Sequence, residues 1–160
     1  MTDKEKIERL CRHMDGVKDN CLLLAQRLMD KGEFNFAKQL VARGYLHDNS
    51  KFAGIEFDFL SEDPPNKEGL KLAISQHNRT NDHHPEFHDG GIHGMPAICV
   101  AEMVCDLKCR ASERGTSLKD WIHNEAMKRY DFNVESPVYK TIMKYVDLLC
   151  DPPLKNPAEI

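Results

Sequence analysis

Histidine and aspartate residues near the ends of apolar segments are the residues of this sequence best suited to metal chemistry. Of the eight histidines in the chain, six lie between positions 47 and 93. His47 and Asp48 directly follow an apolar helical segment, and an imidazole and a carboxylate offer nitrogen and oxygen ligands to one divalent ion. Adjacent helical residues point about 100° apart, so the two can share an ion only at a helix end or in a distorted last turn, and Asn49 and Ser50 predict a helix end.

A polar segment holds three more candidate ligands. His77 follows His47 by 30 residues, and His83 and His84 come next. Residues 77–95 are rich in Asn, Asp, Gly and His and have neither a helical nor a strand pattern, so we predict an ordered functional loop. We expect His77 at the end of the preceding helix, and either His83 or His84 as a further ligand.

Two acidic residues of a later helix and one early histidine complete the set of candidates. Asp106 lies in an apolar helical segment, where a carboxylate is not buried without a cation or hydrogen-bond donors. Glu102 lies one turn earlier on the same face, and the alternative is that both belong to a solvated stripe with Arg110 and Glu113. His13 lies on the first helix, where an isolated histidine is more often a surface or core residue than a ligand.

A series of helices must position these residues. Apolar residues recur at three- and four-residue steps and predict helices over 3–30, 33–46, 53–60, 66–76, 96–113, 118–129 and 137–150. No segment has the alternating pattern of a strand, and no internal repeat or domain boundary is evident. We therefore predict an all-α, single-domain bundle of about six helices over residues 1–150, followed by a proline-rich C-terminal tail over 151–160.

Composition and charge narrow the set of partners. The net charge is −4, with 22 Lys and Arg against 26 Asp and Glu, so we expect no extended nucleic-acid surface. No apolar run approaches the roughly 20 residues of a membrane helix, so we expect no membrane partner. The six cysteines form no CxxC pair, and the N-terminus does not resemble a secretion signal, so we predict reduced thiols in a cytoplasmic protein. An oligomer is compatible with the sequence.

The order of the candidate ligands along the chain resembles the HD-domain superfamily of metal-dependent phosphohydrolases. The family's first helix is similar to the segment HMDGVKDNCLLLAQRL, and its His-Asp box is similar to YLHDNSKF. The helix that carries the family's final aspartate ligand is similar to AICVAEMVCDLKCRAS. The loop HHPEFHDGGIHGMP is similar to the His-His-Glu, Asp-Gly, Gly-Tyr-Pro signature of the HD-GYP branch. It departs from that signature where Pro85 intervenes before Glu86 and where Met95 takes the place of tyrosine.

The resemblance implies an HD-type helical bundle with one or two divalent transition metals. The ligands of the first metal would be His13, His47, Asp48 and Asp106. Asp48 would bridge to a second metal, held by His77 and by His83 or His84. Histidine and carboxylate ligands suit Mn, Fe, Co, Ni or Zn, so we expect one of these ions.

The resemblance also implies a reaction. A metal-activated water would attack a phosphoester of a nucleotide, with Asp48 and Lys51 as the catalytic residues. We expect a small phosphorylated substrate, with a nucleoside monophosphate or a deoxynucleotide favoured, because no further domain is present to bind a longer one. The candidate substrate contacts are Arg12, Lys51, Asn78 and Arg79. For Lys51 the alternative is a solvated lysine after a helix end.

Glutamates are the candidates for supporting roles. Glu86 is placed to orient His83 or His84 as a partner of the ligand ring, and Glu102 is a second candidate of this kind. Glu56 is a further candidate for proton transfer.

Three other functions remain open. A cyclic-nucleotide or oligonucleotide phosphodiesterase would use the same class of reaction. A mixed-valent di-iron oxygenase, from a branch of the same superfamily, would use similar ligands. The third is a non-enzymatic module with a structural zinc or with no metal. A structural zinc would need a site closed by four protein ligands, and the larger number of candidate ligands argues against it.

Overall fold

The longest helix of the structure, α1 (Asp3–Asp30), begins with a complete capping box. In this computed structural model, which describes residues 1–150, the backbone N–H of Glu5 donates to Thr2 Oγ1 at 3.3 Å, and the backbone N–H of Thr2 donates to the Glu5 carboxylate at 2.7 Å. The helix ends where Gly32 adopts a φ of 82°, a left-handed conformation that glycine takes without strain. These two features set the length of the helix against which several later helices pack.

Six further helices follow within residues 1–150. They are α2 (Phe34–Leu46), α3 (Gly54–Phe59), α4 (Lys67–Thr80), α5 (Ala97–Arg114), α6 and α7 (Pro137–Cys150). Helix α6 is composite, with α-helical parts at Leu118–Trp121 and Met127–Tyr130 on either side of a π-helical turn at Ile122–Ala126. No strand occurs in this part of the chain, so the predicted all-α bundle is confirmed.

Helix α5 lies at the centre of the bundle, where it packs against α1, α2, α6 and α7. Every residue from 99 to 105 is buried, so this stretch of α5 has no solvated face. Leu24 and Leu28 of α1 and Leu40 of α2 are completely excluded from solvent. Burying a leucine side chain contributes about 1.5–3 kcal/mol, so this apolar core holds α1, α2 and α5 in fixed relative positions.

Helices α1 and α2 approach each other closely at a glycine. A Cβ atom added at Gly44 of α2 would lie 2.8 Å from Cβ of Cys21 in α1, which is too close for any larger residue. A second close approach joins α1 to α5, since a Cβ atom at Gly16 would lie 2.6 Å from Sγ of Cys109. The absence of side chains at these two positions brings the three helices near enough to share one site.

The polar segment after α4 is more helical than its sequence predicts. Helix α4 continues to Thr80, four residues beyond the predicted end, so His77 lies inside its last turn. Asn81 ends the helix, since its backbone N–H donates to the His77 carbonyl at 3.1 Å and its side chain donates to the same oxygen at 3.0 Å. The loop that follows contains 3-10 turns at Pro85–Phe87 and Gly91–Gly94.

Three further predictions concern the C-terminal tail, membrane-spanning helices and the domain boundary. The predicted tail, residues 151–160, lies outside the described residues. Over residues 1–150, no helix is both long enough and apolar enough to cross a membrane. The domain boundary at residue 150 stays a prediction.

Candidate metal centre

Helix α2 ends in a turn that directs two adjacent side chains to one point. The helix stops at Leu46, His47 follows with a ψ of 129°, and Asp48 has a left-handed φ of 58°. Because the helical geometry stops at Leu46, the Nε2 atom of His47 and the Oδ2 atom of Asp48 lie 3.2 Å apart, and both side chains are buried. A left-handed residue other than glycine costs on the order of 1–3 kcal/mol, although aspartate is among those that tolerate it. The predicted helix end at this pair is confirmed.

Four side chains from three parts of the chain form a first ligand group. They are His13, His47, Asp48 and Asp106, and one ligand atom of each lies within 4.8 Å of the others. His13 comes from α1 and Asp106 from α5, and His13 Nε2 lies 3.0 Å from Asp106 Oδ1. This group is the same set that the HD-domain resemblance implies for a first metal.

A second ligand group shares Asp48 with the first. It comprises Asp48, His77, His83 and His84, again with ligand atoms within 4.8 Å of one another. The Nε2 atoms of His77 and His83 each lie 3.3 Å from Oδ1 of Asp48. The sequence leaves open whether His83 or His84 belongs to this group, and the structure includes both.

Most atoms at the centre of the two ligand groups face one another without a hydrogen bond of good geometry. The atoms without such a bond include Oδ1 of Asp48, Oδ1 of Asp106, and Nε2 of His13, His47, His77, His83 and His84. A buried polar atom without a partner costs about 1–3 kcal/mol, and such atoms are rare in folded proteins. Imidazole nitrogens and carboxylate oxygens are the ligands that divalent transition metals bind, so a cation would satisfy them. The two groups can therefore hold metal ions.

Glu102 fixes one histidine of each ligand group. Its Oε1 atom lies 2.8 Å from Nδ1 of His47 and 3.3 Å from Nδ1 of His83. Its Oε2 atom accepts a hydrogen bond from Nε of Arg43 at 2.6 Å. A carboxylate that accepts from Nδ1–H fixes the ring and its tautomer, and it leaves Nε2 free to bind a metal.

Two other glutamates hold histidine rings in the same way. Nδ1 of His77 lies 2.8 Å from Oε2 of Glu56, which also accepts from the Ser50 hydroxyl at 2.8 Å. Nδ1 of His13 lies 2.8 Å from Oε1 of Glu113. Four of the five histidines therefore have a carboxylate at Nδ1 and direct Nε2 into the centre of the site, an arrangement typical of metal-binding histidines.

Buried charges shift the pKa values of the side chains in the site. Burial lowers the pKa of His47, but the close approach of the Asp48 and Glu102 carboxylates to its two ring nitrogens raises it overall to about 10. The same balance raises the pKa of His83 to about 9. Burial and neighbouring positive charges lower the pKa of His84 to about 3. Protons on His47 and His83 therefore offset the carboxylate charges when no metal ion is bound.

A cavity of about 300 Å³ opens over the second ligand group. The side chains that it shares with the candidate centre are those of Lys51, His77, His83, His84 and Asp106. The Nζ atom of Lys51 lies 2.6 Å from Oδ2 of Asp48, and the lysine is buried. The alternative of a solvated lysine at this position is therefore excluded. Trp121 and Tyr130 form part of the cavity wall.

Two of the four predicted substrate contacts border this cavity and two do not. Lys51 and Asn78 line it, whereas Arg12 and Arg79 are exposed outside it. Each of these arginines lies one or two positions from a ligand histidine on its helix, so it points to a different face. We therefore withdraw Arg12 and Arg79 as substrate contacts.

Glu86 does not orient a ligand histidine. It is exposed in the turn that begins at Pro85, and its carboxylate lies 3.5 Å from Nδ2 of Asn78. That turn carries Glu86 away from His83. The carboxylate beside Nδ1 of His83 belongs instead to Glu102, which comes from the central helix α5.

Several residues that shape the site were absent from the predicted set. Glu113 follows Asp106 by seven residues, so it shares the same helix face, and this spacing was the available signal. Arg110 and Arg114 follow Asp106 at four-residue steps and line the cavity. Arg129 reaches the same cavity from α6, and nothing in its sequence neighbourhood indicates that position.

A comparison with protein families matches nearly the whole of the described chain. A model described as a family of unknown function, DUF5662, matches residues 2–148, which include every residue of both ligand groups. No curated protein and no solved structure gives a significant match to the chain. Because the family description names no activity, metal or substrate, a function has to be inferred from the residues of the site.

Proposed function

The chain belongs to DUF5662, a family of unknown function, and we propose that it is a metal-dependent phosphohydrolase that cleaves a phosphoester of a nucleotide. One observation carries the proposal: two ligand groups share Asp48 and adjoin a cavity lined with cationic side chains. A metal ion held by such ligands can activate a water molecule, and cationic side chains in the cavity wall can attract an anionic substrate. The proposed cofactor is one or two divalent ions from the set Mn, Fe, Co, Ni and Zn.

The number of unpartnered ligand atoms favours two ions. A structural zinc site is closed by four protein ligands, whereas Oδ1 of Asp48, Oδ1 of Asp106 and five histidine nitrogens lack a hydrogen-bond partner here. Asp48 presents Oδ2 to His47 and Oδ1 to His77. This arrangement supports Asp48 as a carboxylate shared by two ions, which the resemblance to the HD-domain superfamily also implies.

The residues of the chain position the reacting groups. A divalent ion held by these residues would lower the pKa of a water ligand and neutralise phosphoryl charge. Glu102 and Glu56 hold histidine rings through Nδ1, which fixes the directions of the ligand atoms in advance. The ammonium group of Lys51 lies 2.6 Å from Asp48 and lines the cavity, where it can donate to a phosphate oxygen.

The cavity suits a nucleotide. Trp121 and Tyr130 offer rings that can pack against a base, and Asn78 offers an amide that can hydrogen-bond to one. A volume of about 300 Å³ lies at the lower end of the range for small-molecule pockets, which favours a single nucleotide, such as a nucleoside monophosphate or a deoxynucleotide, over an oligonucleotide. A cyclic or short oligonucleotide phosphodiester is the alternative within the same reaction class.

The oxidation state of the cysteines bears on the cellular compartment of the protein. All six are free thiols in the structure. Free thiols are usual in a reducing compartment, and a cytoplasmic location is therefore part of the proposal.

The test of this function is phosphate release by metal-stripped protein reloaded with Mn, Fe, Co, Ni or Zn. The substrates are nucleoside monophosphates, nucleoside triphosphates and cyclic nucleotides. Asp48→Asn keeps the size of the side chain and removes the shared charge, while Asp19→Asn, at an exposed position of α1, is the matched control. We expect turnover that requires both the metal and Asp48.

Three outcomes would contradict the proposal. Folded, metal-loaded protein that releases phosphate from none of these substrates would exclude the hydrolase. Oxygen uptake by iron-loaded protein, with the EPR signal of a mixed-valent pair, would favour the di-iron oxygenase. Loss of helical structure on metal removal, without turnover on any substrate, would favour a structural metal site.

A further inference from the structure

Three arginines line the cavity beside the candidate metal centre, although the net charge of the chain is −4. They are Arg110 and Arg114 from α5 and Arg129 from α6. Arginine is the side chain best suited to phosphate, because its planar guanidinium donates two parallel hydrogen bonds to neighbouring oxygens. The proposed hydrolysis needs one phosphate at the ligand groups, and it does not by itself explain three further cations.

The arginines of α5 are spread along the cavity rather than gathered at its metal end. Arg110 follows Asp106 by four residues and Arg114 follows it by eight. At 1.5 Å per residue, their Cα atoms lie about 6 Å and about 12 Å along the helix axis from that of Asp106. The second distance is about two helical turns, so the backbone of Arg114 lies further along the cavity than the ligand groups do.

Two of the three arginines have no acidic partner. Nη1 of Arg110 lies 3.2 Å from the carboxylate of Glu113, whose other oxygen holds His13. Arg114 and Arg129, in contrast, form no ion pair with any carboxylate in the described part of the chain, residues 1–150. The guanidinium of Arg129 lies 5.3 Å from the ring centre of Tyr130, a cavity residue. Both unpaired guanidinium groups are therefore free to bind an anion.

A nucleoside monophosphate would leave these groups unused. Its single phosphate would lie at the ligand groups, and Arg114 and Arg129 would then face the uncharged sugar and base. A substrate with a second phosphate has one anionic group for the ligand groups and another for the arginines that line the same cavity. The aromatic rings of Trp121 and Tyr130 lie in the same wall, where they can pack against the base.

We propose that Arg114 and Arg129 bind a second phosphate group, so that the substrate is a nucleotide with two phosphates rather than one. This inference rests on the proposed function for the position of the first phosphate. It replaces the nucleoside monophosphate as the favoured substrate. The two phosphates are either adjacent, as in a nucleoside diphosphate, or separated by the sugar, as in a nucleoside 3′,5′-bisphosphate.

The test is a binding measurement that does not depend on turnover. Trp121 is the only tryptophan of the chain and lines the cavity, so its fluorescence reports occupancy. Rapid mixing of metal-loaded protein with AMP, with α,β-methylene ADP and with adenosine 3′,5′-bisphosphate records binding before product accumulates. We expect one of the two-phosphate ligands to bind at least about tenfold more tightly than AMP, and the identity of that ligand separates adjacent from separated phosphates.

Variants assign the difference to the arginines. In the double variant Arg114→Ala, Arg129→Ala, we expect the favoured two-phosphate ligand to bind at least about tenfold more weakly and AMP to change less than about twofold. The double variant Arg12→Ala, Arg79→Ala removes two exposed arginines outside the cavity and should match the wild type. All four positions are exposed, so the folded state should persist, and thermal unfolding checks this.

The outcomes separate this inference from the proposed function. Equal affinity of the wild-type protein for AMP and for both two-phosphate ligands would overturn the inference. An equal loss of affinity for all three ligands in the double variant Arg114→Ala, Arg129→Ala would also overturn it. If either of these results occurred together with phosphate release that requires Asp48, the second-phosphate inference would fail and the proposed hydrolase activity would be retained. Tight, arginine-dependent binding of a two-phosphate ligand without any turnover would overturn the hydrolase and leave the anion site standing.

Discussion

The Oε1 atom of Glu102 lies 2.8 Å from the Nδ1 atom of His47. The same oxygen lies 3.3 Å from Nδ1 of His83, so one carboxylate supports a histidine of each ligand group. Arg43 holds the other oxygen of Glu102 at 2.6 Å and fixes the orientation of the carboxylate. The two ligand groups are therefore connected by two residues. Asp48 belongs to both groups, and Glu102 contacts the Nδ1 side of one histidine in each.

Substitution of Glu102 should weaken both metal positions. In Glu102→Gln the side chain keeps its size but loses the charge that holds two Nδ1–H groups and Arg43. We expect metal affinity to fall by about 10- to 100-fold, the usual effect of losing such a partner. Competition with a coloured chelator measures it, and Glu125→Gln, at an exposed position of α6, is the control. Unchanged affinity in Glu102→Gln would show that the carboxylate does not support the ligands.

Removal of the metal should lower stability without unfolding the protein. The apolar core between α1, α2 and α5 does not depend on the site, so the helical circular dichroism should persist. An ion at 100 times its Kd stabilises the folded state by about 2.7 kcal/mol, which corresponds to about 5–10 °C in Tm for a chain of this size. A thermal scan with and without EDTA measures the difference, and it should shrink in Asp106→Asn. Complete unfolding in EDTA, or no shift at all, would contradict this prediction.

Metal binding should release protons and strengthen as the pH rises. Burial lowers the pKa of His47 and of His83, but neighbouring carboxylates raise these values overall to about 10 and about 9. Both rings are therefore protonated at pH 7 without an ion, and a metal must displace about two protons. Because proton competition weakens as the pH approaches these values, affinity should increase between pH 7 and pH 9. Calorimetry in buffers of different ionisation enthalpy counts the protons, and an affinity independent of pH would contradict the expectation.

Lys51 should affect turnover more than metal binding. Its ammonium lies 2.6 Å from Oδ2 of Asp48 and lines the cavity. In Lys51→Met we expect kcat to fall by about 100-fold, the usual effect of losing one donor to a reacting oxyanion, while metal content is retained. Lys71→Met, at an exposed position of α4, should match the wild type. A rate within twofold of wild type would remove Lys51 from the reaction.

Several candidate ligands are predictable from sequence because their signals are local, whereas His13 is implied only by the resemblance to the HD-domain superfamily. His47 and Asp48 lie where an apolar helical pattern stops, and that stop lets adjacent side chains face one point. Asp106 is visible as an acidic residue in an apolar helix, which needs a cation or donors when it is buried. The all-α architecture follows from the same helical periodicity.

The supporting residues are less predictable because they depend on how helices pack. Glu113 reaches His13 only because α5 lies against α1, and Arg129 reaches the cavity only because α6 packs against α5. Arg12 and Arg79 lie close to ligand histidines in sequence, but the helical rotation of about 100° per residue directs them elsewhere. Proximity along the chain was thus a poor guide to proximity in the site.

The measurement that tests the central claim most directly is the number of metal ions bound per chain. Elemental analysis after reloading and desalting should find two ions in the wild type and about one in His84→Ala, which removes a ligand of the second group only. Asp48→Ala removes the shared ligand, so it should retain fewer than one ion, while His123→Ala, at an exposed position of α6, should retain two. Equal metal content in the wild type and Asp48→Ala would contradict a centre built around Asp48.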